Sequence, residues 1–360
     1  MIDAKSIWFL STQRLAAAAV LACGGWVQAH AMEQYVLPEV SADLAALVDH
    51  NFSLCSACDS CGDGCCDGCC DGVDCGGIGC DGVGCGEGCC DKKLLGQFKP
   101  SDHCFDDFIS PMTNPVFFED PRNLTEARAI FLQHHLPRDA AGGDVQLYAL
   151  QLRAALTDRL SLVASKDGFA VSNNPLLDDG WGDLGVGLKY VLMADPQAQR
   201  LLSVGGGYEL PVGSTRTLQG RGDGEFYFYL TGGAEFLDYG HWLSSMGFRI
   251  PVDGDEGSDS WWWSNHWDYQ IFDKWYVLTE VNWFTWIGAG TQTALPGVEG
   301  GDLFNFGSVG VAGNDIVTQA IGIKYKRNRH RELGIAFEVP LTQRRDILEN
   351  RLTVDWILRY

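Results

Sequence analysis

Apolar and polar residues alternate along most of the chain after residue 123. In the last segment, apolar side chains occupy every second position from Leu352 to Tyr360, and Asp355 and Arg359 lie among the polar positions between them, with Arg351 just before Leu352. This period of two places the apolar side chains on one face of a β-strand. Twelve segments of about ten residues show the pattern, separated by clusters of Gly, Asp, Asn and Pro, and each predicts a strand. They lie near 126–135, 144–156, 158–166, 182–193, 199–211, 224–236, 241–252, 261–271, 275–287, 316–326, 330–341 and 350–360.

The connections between these strands alternate in length. Short turns are expected near 157–158, 194–196, 237–240, 272–274 and 327–329. Longer loops are expected at 167–181, 212–223, 253–260, 288–315 and 342–349, with a shorter first one at 136–143. An even number of strands, joined by short turns on one side and longer loops on the other, is typical of single-chain outer-membrane barrels. We therefore predict an all-β fold: a transmembrane antiparallel up-and-down β-barrel of about twelve strands over residues 124–360. It would lie in the bacterial outer membrane with both termini in the periplasm, and a soluble β-sandwich or barrel with an aromatic core is the alternative.

Aromatic residues gather at the ends of the predicted strands. The run Trp261-Trp262-Trp263 begins one strand, and Trp283 and Trp286 end the next. Trp and Tyr side chains favour the two interfaces of a membrane. These tryptophans are therefore expected to form part of an outward-facing aromatic girdle. Phe272, Trp275 and Tyr276 flank the turn between the two strands and are expected to form part of a second girdle.

The composition narrows the class of partner. The chain has 26 Lys and Arg against 47 Asp and Glu, a formal net charge of −21. Such a charge disfavours contact with polyanions, so we expect no nucleic-acid partner.

The first 31 residues resemble a secretory signal peptide. Lys5 and Arg14 precede an apolar run from Leu15 to Val27, and Ala29-His30-Ala31 supplies the small residues of a cleavage site. The apolar run is too short to span a bilayer, which takes ~20 residues. We predict cleavage after Ala31; a cut before Cys23, leaving a lipidated amino terminus, is the alternative.

A Cys-, Gly- and Asp-rich low-complexity segment occupies part of residues 32–104, which would be periplasmic. The cysteines here are candidates for disulfide bonds or metal binding: Cys55, Cys58, Cys61, Cys65, Cys66, Cys69, Cys70, Cys75, Cys80, Cys85, Cys89 and Cys90. C-x-x-C spacings suit zinc or copper, whereas an exported chain favours disulfides. Three interpretations stay open: a disulfide-crosslinked spacer, a zinc or copper site, and a disordered linker. Together with Cys104 the cleaved chain has an odd number of cysteines, so one thiol is free, bound to metal or crosslinked to another molecule.

Two stretches resemble a known family. The residues TDRLSL at 157–162 and GDLGVGLKY at 182–190 resemble the pattern of the outer-membrane barrel family named for the meta-pathway of phenol degradation. That family is related to uptake channels for long-chain fatty acids and aromatic hydrocarbons. The resemblance covers residues 124–360 and implies a barrel that transports hydrophobic or aromatic solutes. The cysteine-rich extension and the count of twelve strands rather than fourteen depart from the family pattern.

Charged residues on the opposite face of the strands predict a polar lumen. The predicted lining residues are Arg153, Arg159, Asp183, Lys189, Glu225, Glu235, Arg249, His266, Asp268, Glu280, Arg351, Asp355 and Arg359. Their mixed signs predict no strong selection for one sign of ion.

No catalytic site is expected in the barrel. Ser264 and His266 lie two apart on one strand, with Asp268 following on the same face. Consecutive residues on one face are ~6.6 Å apart along a strand, too far for a serine to be activated by the histidine. We therefore predict no enzymatic activity and no cofactor for the barrel.

The sequence favours a channel for small solutes, with outer-membrane lipid as its surroundings. The alternative is a structural envelope protein, in which a closed barrel anchors the cysteine segment to other envelope proteins through disulfides. Residues 105–123, which contain Pro111, Pro115 and Pro121, either enter the lumen as a plug or lead into the first strand.

Overall fold

The alternating segments form strands in a computed structural model, which describes residues 93–360. Among these residues, one sheet contains fourteen strand segments, and each segment is antiparallel to its neighbours. The strands are β1 (Glu126–His135), β2 (Asp144–Ala155), β3 (Leu160–Lys166), β4 (Phe169–Ser172), β5 (Gly180–Trp181), β6 (Leu184–Asp195), β7 (Arg200–Leu210), β8 (Glu225–Leu237), β9 (Gly240–Pro251), β10 (Ser260–Phe272), β11 (Trp275–Trp286), β12 (Asp315–Asn328), β13 (Arg331–Pro340) and β14 (Asn350–Arg359).

The sheet closes into a barrel because β1 pairs with both β2 and β14. Glu126 lies opposite Arg153 of β2 and Arg359 of β14. Its Oε1 accepts a hydrogen bond from Arg153 Nη1 at 2.9 Å, and its Oε2 accepts one from Arg359 Nε at 2.7 Å. Twelve full strands surround the lumen, since β4 continues β3 along β2, and β5 leads into β6. The predicted fold, a closed antiparallel barrel of twelve strands, is confirmed.

The third strand is interrupted between β3 and β4. Gly168 has a φ of +124°, and a Cβ there would lie 2.8 Å from the carbonyl oxygen of Tyr148. Next to it, Asp167 Oδ1 accepts a hydrogen bond from Leu150 N at 2.8 Å, which replaces a bond of the interrupted ladder. The sequence predicted a single loop over 167–181. That prediction is wrong in part, because β4 and β5 are too short for their alternation to be distinguished from loop sequence.

Two glycines of β7 leave space on the inner face of the wall. Gly205 and Gly207 face the rings of Tyr229 and Tyr227, which are buried on β8. A Cβ added at either glycine would lie 2.3 Å from the facing tyrosine. The glycines therefore make room for two aromatic rings against the barrel wall.

Tryptophans at the long-loop ends of β10 and β11 divide between the two faces of the wall. Trp261, Trp263 and Trp283 are partly or fully exposed on the outside, whereas Trp262 and Trp286 are buried inside. The prediction of an external girdle is therefore wrong for Trp262 and Trp286. The physical reason is strand alternation, which turns every second side chain toward the lumen.

The connections define two rims. The short-turn rim has the connections 156–159, 196–199, 238–239, 273–274 and 329–330, and the long-loop rim has 136–143, 173–179, 211–224, 252–259, 287–314 and 341–349. Short and long connections alternate along the chain, as the sequence predicted. Within residues 93–360, no helix has the length and apolar character needed to cross a membrane.

Candidate functional site

A re-entrant segment, residues 105–123, occupies the lumen and is called the plug below. All but two of its residues are buried. The chain enters and leaves at the short-turn rim, where Ser101 N donates to Tyr360 O at 2.6 Å and Asp102 N donates to Asn123 O at 2.9 Å. These contacts hold both ends of the segment at one rim. Buried side chains of the wall, such as Glu280 and Lys324, bond to the backbone between the ends, so the segment lies inside the barrel.

The plug makes few of the backbone hydrogen bonds that a strand or helix would provide. Its three prolines and irregular pattern leave buried carbonyl groups that need other donors. Wall side chains supply them. These bonds run from Lys324 Nζ to Ser110 O (2.8 Å), from Arg128 Nη2 to Pro111 O (2.7 Å), from Thr231 Oγ1 to Glu119 O (2.7 Å) and from Ser203 Oγ to Pro121 O (2.6 Å).

Glu119 is the main ionic contact of the plug with the wall. Its Oε1 lies 2.7 Å from Lys189 Nζ and 2.8 Å from Arg153 Nε, and its Oε2 lies 2.6 Å from Arg153 Nη2. Arg153 also pairs with Glu126. All four side chains are buried, so removing Glu119 would leave the buried Lys189 without its carboxylate partner and Arg153 with Glu126 alone.

A second buried cluster gives the plug a fixed shape. Arg122 pairs with Asp120, with Nη2 and Oδ2 2.6 Å apart, and its Nη1 donates to Phe108 O at 2.8 Å. Ser110 Oγ donates to Asp120 Oδ2 at 2.8 Å and accepts from Arg359 Nη2 at 2.7 Å. The bond from Arg359 joins this cluster to β14.

A chain of ionisable side chains links β9, β10 and β11 to the plug. His241 Nδ1 lies 2.8 Å from Asp268 Oδ1, and Asp268 Oδ2 lies 3.0 Å from His266 Nε2. His266 Nδ1 lies 2.7 Å from Glu280 Oε1, and Thr113 N donates to Glu280 Oε2 at 2.6 Å. Because both ring nitrogens of His266 face carboxylate oxygens, hydrogen bonds to both require the doubly protonated imidazolium. Glu280 thereby holds the plug backbone through a charge-assisted contact.

The geometry around Ser264 does not fit nucleophilic catalysis. Its hydroxyl accepts a hydrogen bond from Asn114 Nδ2 at 2.9 Å. Both ring nitrogens of His266 are engaged by carboxylates, so the histidine has no nitrogen left to take a proton from Ser264. Ser264, His266 and Asp268 therefore belong to the contact between plug and wall.

Aromatic stacking fixes the far end of the plug. Phe117 stacks on the inward-facing Trp262, with ring centroids 4.5 Å apart and an interplanar angle of 23°. The guanidinium carbon of Arg249 lies 5.3 Å from the centroid of the same Phe117 ring. The plug thus reaches from the short-turn rim toward the long-loop half of the barrel.

The longest loop, residues 287–314, closes the long-loop rim and is called the lid below. Arg351 of β14 binds Asp302 with two hydrogen bonds, of 2.9 and 3.0 Å. Arg249 Nη1 donates to Phe304 O at 3.1 Å. Phe304 and Phe306 are buried in one apolar cluster with residues of β1, β2 and β4. Bidentate pairing and aromatic burial together hold the lid inside the mouth of the barrel.

The loop 341–349 packs on the lid. Arg344 Nη2 donates to Gly297 O at 2.5 Å, and Arg344 Nε donates to Asp346 Oδ2 at 3.0 Å. Burial raises the pKa of Asp346 to about 6, although its hydrogen bond with Arg344 acts in the opposite direction. The contact between these two loops is therefore sensitive to mildly acidic pH.

Most residues that the sequence assigned to the lumen are buried in the barrel. These are Arg153, Asp183, Lys189, Glu225, Arg249, His266, Asp268, Glu280, Arg351, Asp355 and Arg359. Arg159 is a wrong assignment, because it lies in a partly exposed turn and donates to Leu192 O at 3.3 Å. Glu235 lies opposite the buried His241 of β9, on the inner face of the wall, but it is exposed near the short-turn rim, just before the register with β9 shifts. The assignment of Arg159 fails because alternation does not extend into a turn.

Sequence reasoning missed the plug's own charged residues and several of their partners. The missed plug residues are Glu119, Asp120 and Arg122, and the missed wall residues include Glu126, which pairs with Arg153, and Arg128, which bonds to Pro111 O. The plug residues lie outside any periodic segment, so no pattern marked them. Charged residues between the plug's prolines were the available signal.

The predicted disulfide or metal site lies outside the described residues, because all its candidate cysteines precede residue 93. Cys104 does fall within them and forms a disulfide. Across residues 93–360, no group of three or more His, Cys, Asp or Glu side chains is arranged to hold a metal ion.

A closed antiparallel barrel with an apolar outer wall and a polar, charged lumen defines the class: a transmembrane β-barrel of the outer-membrane type. No protein-family model matches the chain, and no curated protein sequence matches it. The chain is similar to a solved structure of the COG4313 outer membrane channel from Pseudomonas putida F1, with 13% identity and a TM-score of 0.48 over 70% of this chain and 100% of that chain. It is also similar to the KdgM porin, with 11% identity and a TM-score of 0.40 over 65% of this chain and 99% of that one. The translocator domain of the autotransporter NalP from Neisseria meningitidis has 10% identity and a TM-score of 0.38, over 66% of this chain and 87% of that one. The resemblance to the phenol-pathway family stays a prediction.

Proposed function

We propose that this chain is an outer-membrane channel for small solutes, closed here by the plug and the lid. In this proposal the short-turn rim faces the periplasm and the lid faces the exterior, as in barrels with short periplasmic turns and longer external loops. Both termini and the cysteine-rich segment would then be periplasmic. The phenol-pathway resemblance adds hydrophobic or aromatic molecules as a candidate solute class.

One observation carries the proposal: a separate chain segment fills the lumen. In a barrel that is permanently solid, wall side chains alone can fill the interior. Here the wall leaves space for residues 105–123 and binds them mainly through hydrogen bonds and ion pairs, such as those of Glu119 and Glu280. Water can replace polar contacts of this kind when the segment moves, because the exposed groups can be hydrated.

Planar-bilayer recordings of the full-length protein test the proposal. We expect the wild type to open rarely, and Glu119→Gln and Glu280→Gln to open more often, because each weakens a plug contact. Glu349→Gln is the matched control, since Glu349 pairs with Arg345 in an exposed loop away from the plug. An absence of conductance steps in all four proteins, each shown to be folded by a heat-modifiable gel shift, would refute the channel. The structural envelope role would then be the better explanation.

A further inference from the structure

The contact of Glu119 with the wall has the geometry of a carboxylate-binding site. Arg153 of β2 donates from Nε to Oε1 at 2.8 Å and from Nη2 to Oε2 at 2.6 Å, so one guanidinium group binds both carboxylate oxygens. Lys189 of β6 adds a bond from Nζ to Oε1 at 2.7 Å. The planar guanidinium fork matches a carboxylate at two points, and the ammonium group adds a second positive charge. Both cations belong to the wall, so the binding site stays in the lumen when the plug leaves.

The ion-pair network around Arg153 has more wall cations than wall carboxylates. The cations are Arg128, Arg153, Lys324, Lys326 and Arg359, and the wall carboxylates that they share are Glu126, Glu332 and Asp355. Within residues 93–360, Lys189 pairs with no carboxylate other than Glu119. Removal of the plug therefore leaves this part of the lumen with an excess of positive charge, which attracts anions.

A row of hydroxyl groups on the wall follows the plug next to this site. Ser203, Thr231 and Ser245 lie opposite one another on β7, β8 and β9. Their hydroxyls donate to the carbonyl oxygens at every second position of residues 117–121, at 2.6, 2.7 and 3.3 Å. These groups bind acceptor oxygens that the plug supplies in the closed state, and they are donors for a solute once the plug has moved.

Ser161 offers one more donor at the site. It lies opposite Lys189 in the pairing of β3 with β6, and it is fully buried. Its hydroxyl has no hydrogen-bond partner among the residues that the structure describes. Because buried polar atoms are rarely left unpaired, this hydroxyl is available to a ligand oxygen that the plug does not supply.

We propose that Arg153 and Lys189 form a binding site for a carboxylate group of the transported solute, and that Glu119 occupies this site while the plug fills the lumen. The solute carboxylate takes the position of the Glu119 carboxylate, so plug and solute exclude each other. The inference rests on the proposed channel function and adds a solute class to it: small molecules that carry a carboxylate. It replaces the sequence prediction of no strong ion selection with a preference for anions in the open lumen.

Acetate rescue of Glu119→Ala tests the site in the full-length protein, because the non-hydrogen atoms that this substitution removes are those of acetate. Variant and wild type are refolded in detergent with sodium acetate or with sodium chloride at equal concentration. The temperature of the gel shift from folded to unfolded barrel is then measured. We expect acetate to raise this temperature for Glu119→Ala by at least about 3 °C more than for the wild type. The wild type corrects for the general effect of each salt.

Three comparisons decide whether a rescue comes from the proposed site. Acetamide has the size of acetate but no charge, and it should give no rescue. Glu119→Ala/Lys189→Met should lose most of the rescue, because the site then keeps only one of its two cations. Glu349→Ala is the matched control, since Glu349 pairs with Arg345 in an exposed loop, and it should respond to acetate as the wild type does.

Several results would refute the site. These are equal shifts in acetate and chloride, an equal rescue by acetamide, and a rescue that survives Lys189→Met. A Glu119→Ala protein that folds in neither salt shows no rescue and counts in the same way.

Reversal potentials in planar bilayers connect the site to the solute. Across a gradient of sodium acetate, open Glu119→Gln channels should prefer acetate over sodium by at least about twofold, because the wall cations have lost the plug carboxylate. Glu119→Gln/Lys189→Met should reduce this preference, and a preference for sodium in Glu119→Gln would refute a carboxylate solute. The two proposals can fail separately. A protein that acetate rescues but that never conducts loses only the channel, and a channel that conducts without rescue or acetate preference loses only the carboxylate site.

Discussion

Gly205 and Gly207 occupy inward positions where any side chain would meet Tyr229 or Tyr227. In most strands a glycine weakens the sheet, because its backbone loses more conformational entropy on folding and it offers no side chain to pack. Here the two missing side chains allow two tyrosine rings to pack against the wall, with centroids 6.5 Å apart and planes within 11° of parallel. The glycines thus lower the local strand propensity but allow aromatic packing inside the barrel.

A larger residue at Gly207 is expected to destabilise the barrel. Its Cβ would lie 2.3 Å from the Tyr227 hydroxyl and 2.4 Å from the backbone oxygen of Val186, and a backbone oxygen cannot move aside easily. Gly207→Val should lower the free energy of unfolding by roughly 2–3 kcal/mol, as overpacking does elsewhere. Urea titration followed by tryptophan fluorescence measures it. Gly254→Ala is the control, because a Cβ there meets no atom within 4 Å; equal stability of the two variants would contradict the packing argument.

Asp346 is expected to make the closing of loop 341–349 depend on pH. Its pKa is about 6 in the closed loop, against an ordinary value of about 4. An acid with a raised pKa favours the closed state when protonated. Closing should therefore be most favourable below pH 4, should weaken between pH 4 and 6, and should stay constant above pH 6. The closing equilibrium constant should fall by at most roughly 100-fold across this range.

Hydrogen exchange of residues 341–349, corrected for intrinsic rates and measured from pH 3.5 to 7, tests this dependence. Asp346→Asn should remove it, and Asp255→Asn, in another loop of the long-loop rim, should leave it unchanged. A pH dependence that survives in Asp346→Asn would assign the effect to a different group.

At the scale of strands, the closing seam of the barrel depends on β1. This strand is the first along the chain after the plug, and it must find both β2, which follows directly, and β14, which is more than 200 residues away. Such a distant pairing has a high loop-closure cost. Glu126 supports it from the inside, because it bonds to an arginine on each neighbouring strand.

Glu126→Ala is expected to weaken the seam strongly. It would leave Arg153 with Glu119 alone and Arg359 with Glu332 alone, so that two buried guanidinium groups each lose a partner. The cost should be about 3 kcal/mol or more. The temperature of the gel shift from folded to unfolded barrel measures it. Glu235→Ala is the control at an exposed position, and a similar drop for both variants would show that Glu126 does not stabilise the seam.

The strands were predictable because each one depends on a local pattern. The segment predicted at 261–271 is β10 (Ser260–Phe272), and the one predicted at 126–135 coincides with β1. Each strand has one face toward lipid and the other toward the lumen, and this produces the alternation. The pattern can therefore be recognised without knowing which strands pair with each other. The short β4 and β5 span too few residues for that pattern to appear.

The contacts of the plug could not be predicted in the same way. Thr113 bonds to Glu280, which is 167 residues further along the chain. Glu119 bonds to Lys189, which is 70 residues away. The plug has no period, and the pairing between its carbonyls and wall side chains depends on three-dimensional proximity alone. The sequence therefore indicated a charged lumen and residues 105–123 as one candidate to enter it, but not whether they do so or which wall residues they contact.

At the scale of the whole molecule, two separate segments close one lumen from opposite ends. The plug is continuous with the chain before β1 and is held at the short-turn rim, whereas the lid belongs to the connection between β11 and β12. Their principal ionic contacts use different wall residues: Arg153 and Lys189 hold the plug, and Arg351 holds the lid. Because these contacts are distinct, each closure can be weakened without removing the other's ion pairs.

Two closures in series predict a non-additive effect on conductance. Glu119→Gln weakens the plug, and Asp302→Asn removes the charge that Arg351 binds on the lid. Each single variant should open more often than the wild type but still rarely, because the other barrier still limits flow, whereas the double variant should open far more often than the sum of the single effects. Planar-bilayer recordings of the four proteins at equal protein density give the comparison. Simple additivity would mean that plug and lid lie on separate paths, and full opening by Asp302→Asn alone would mean that the plug does not obstruct the lumen. The series arrangement predicts neither result, since current through a single lumen is limited by whichever segment remains closed.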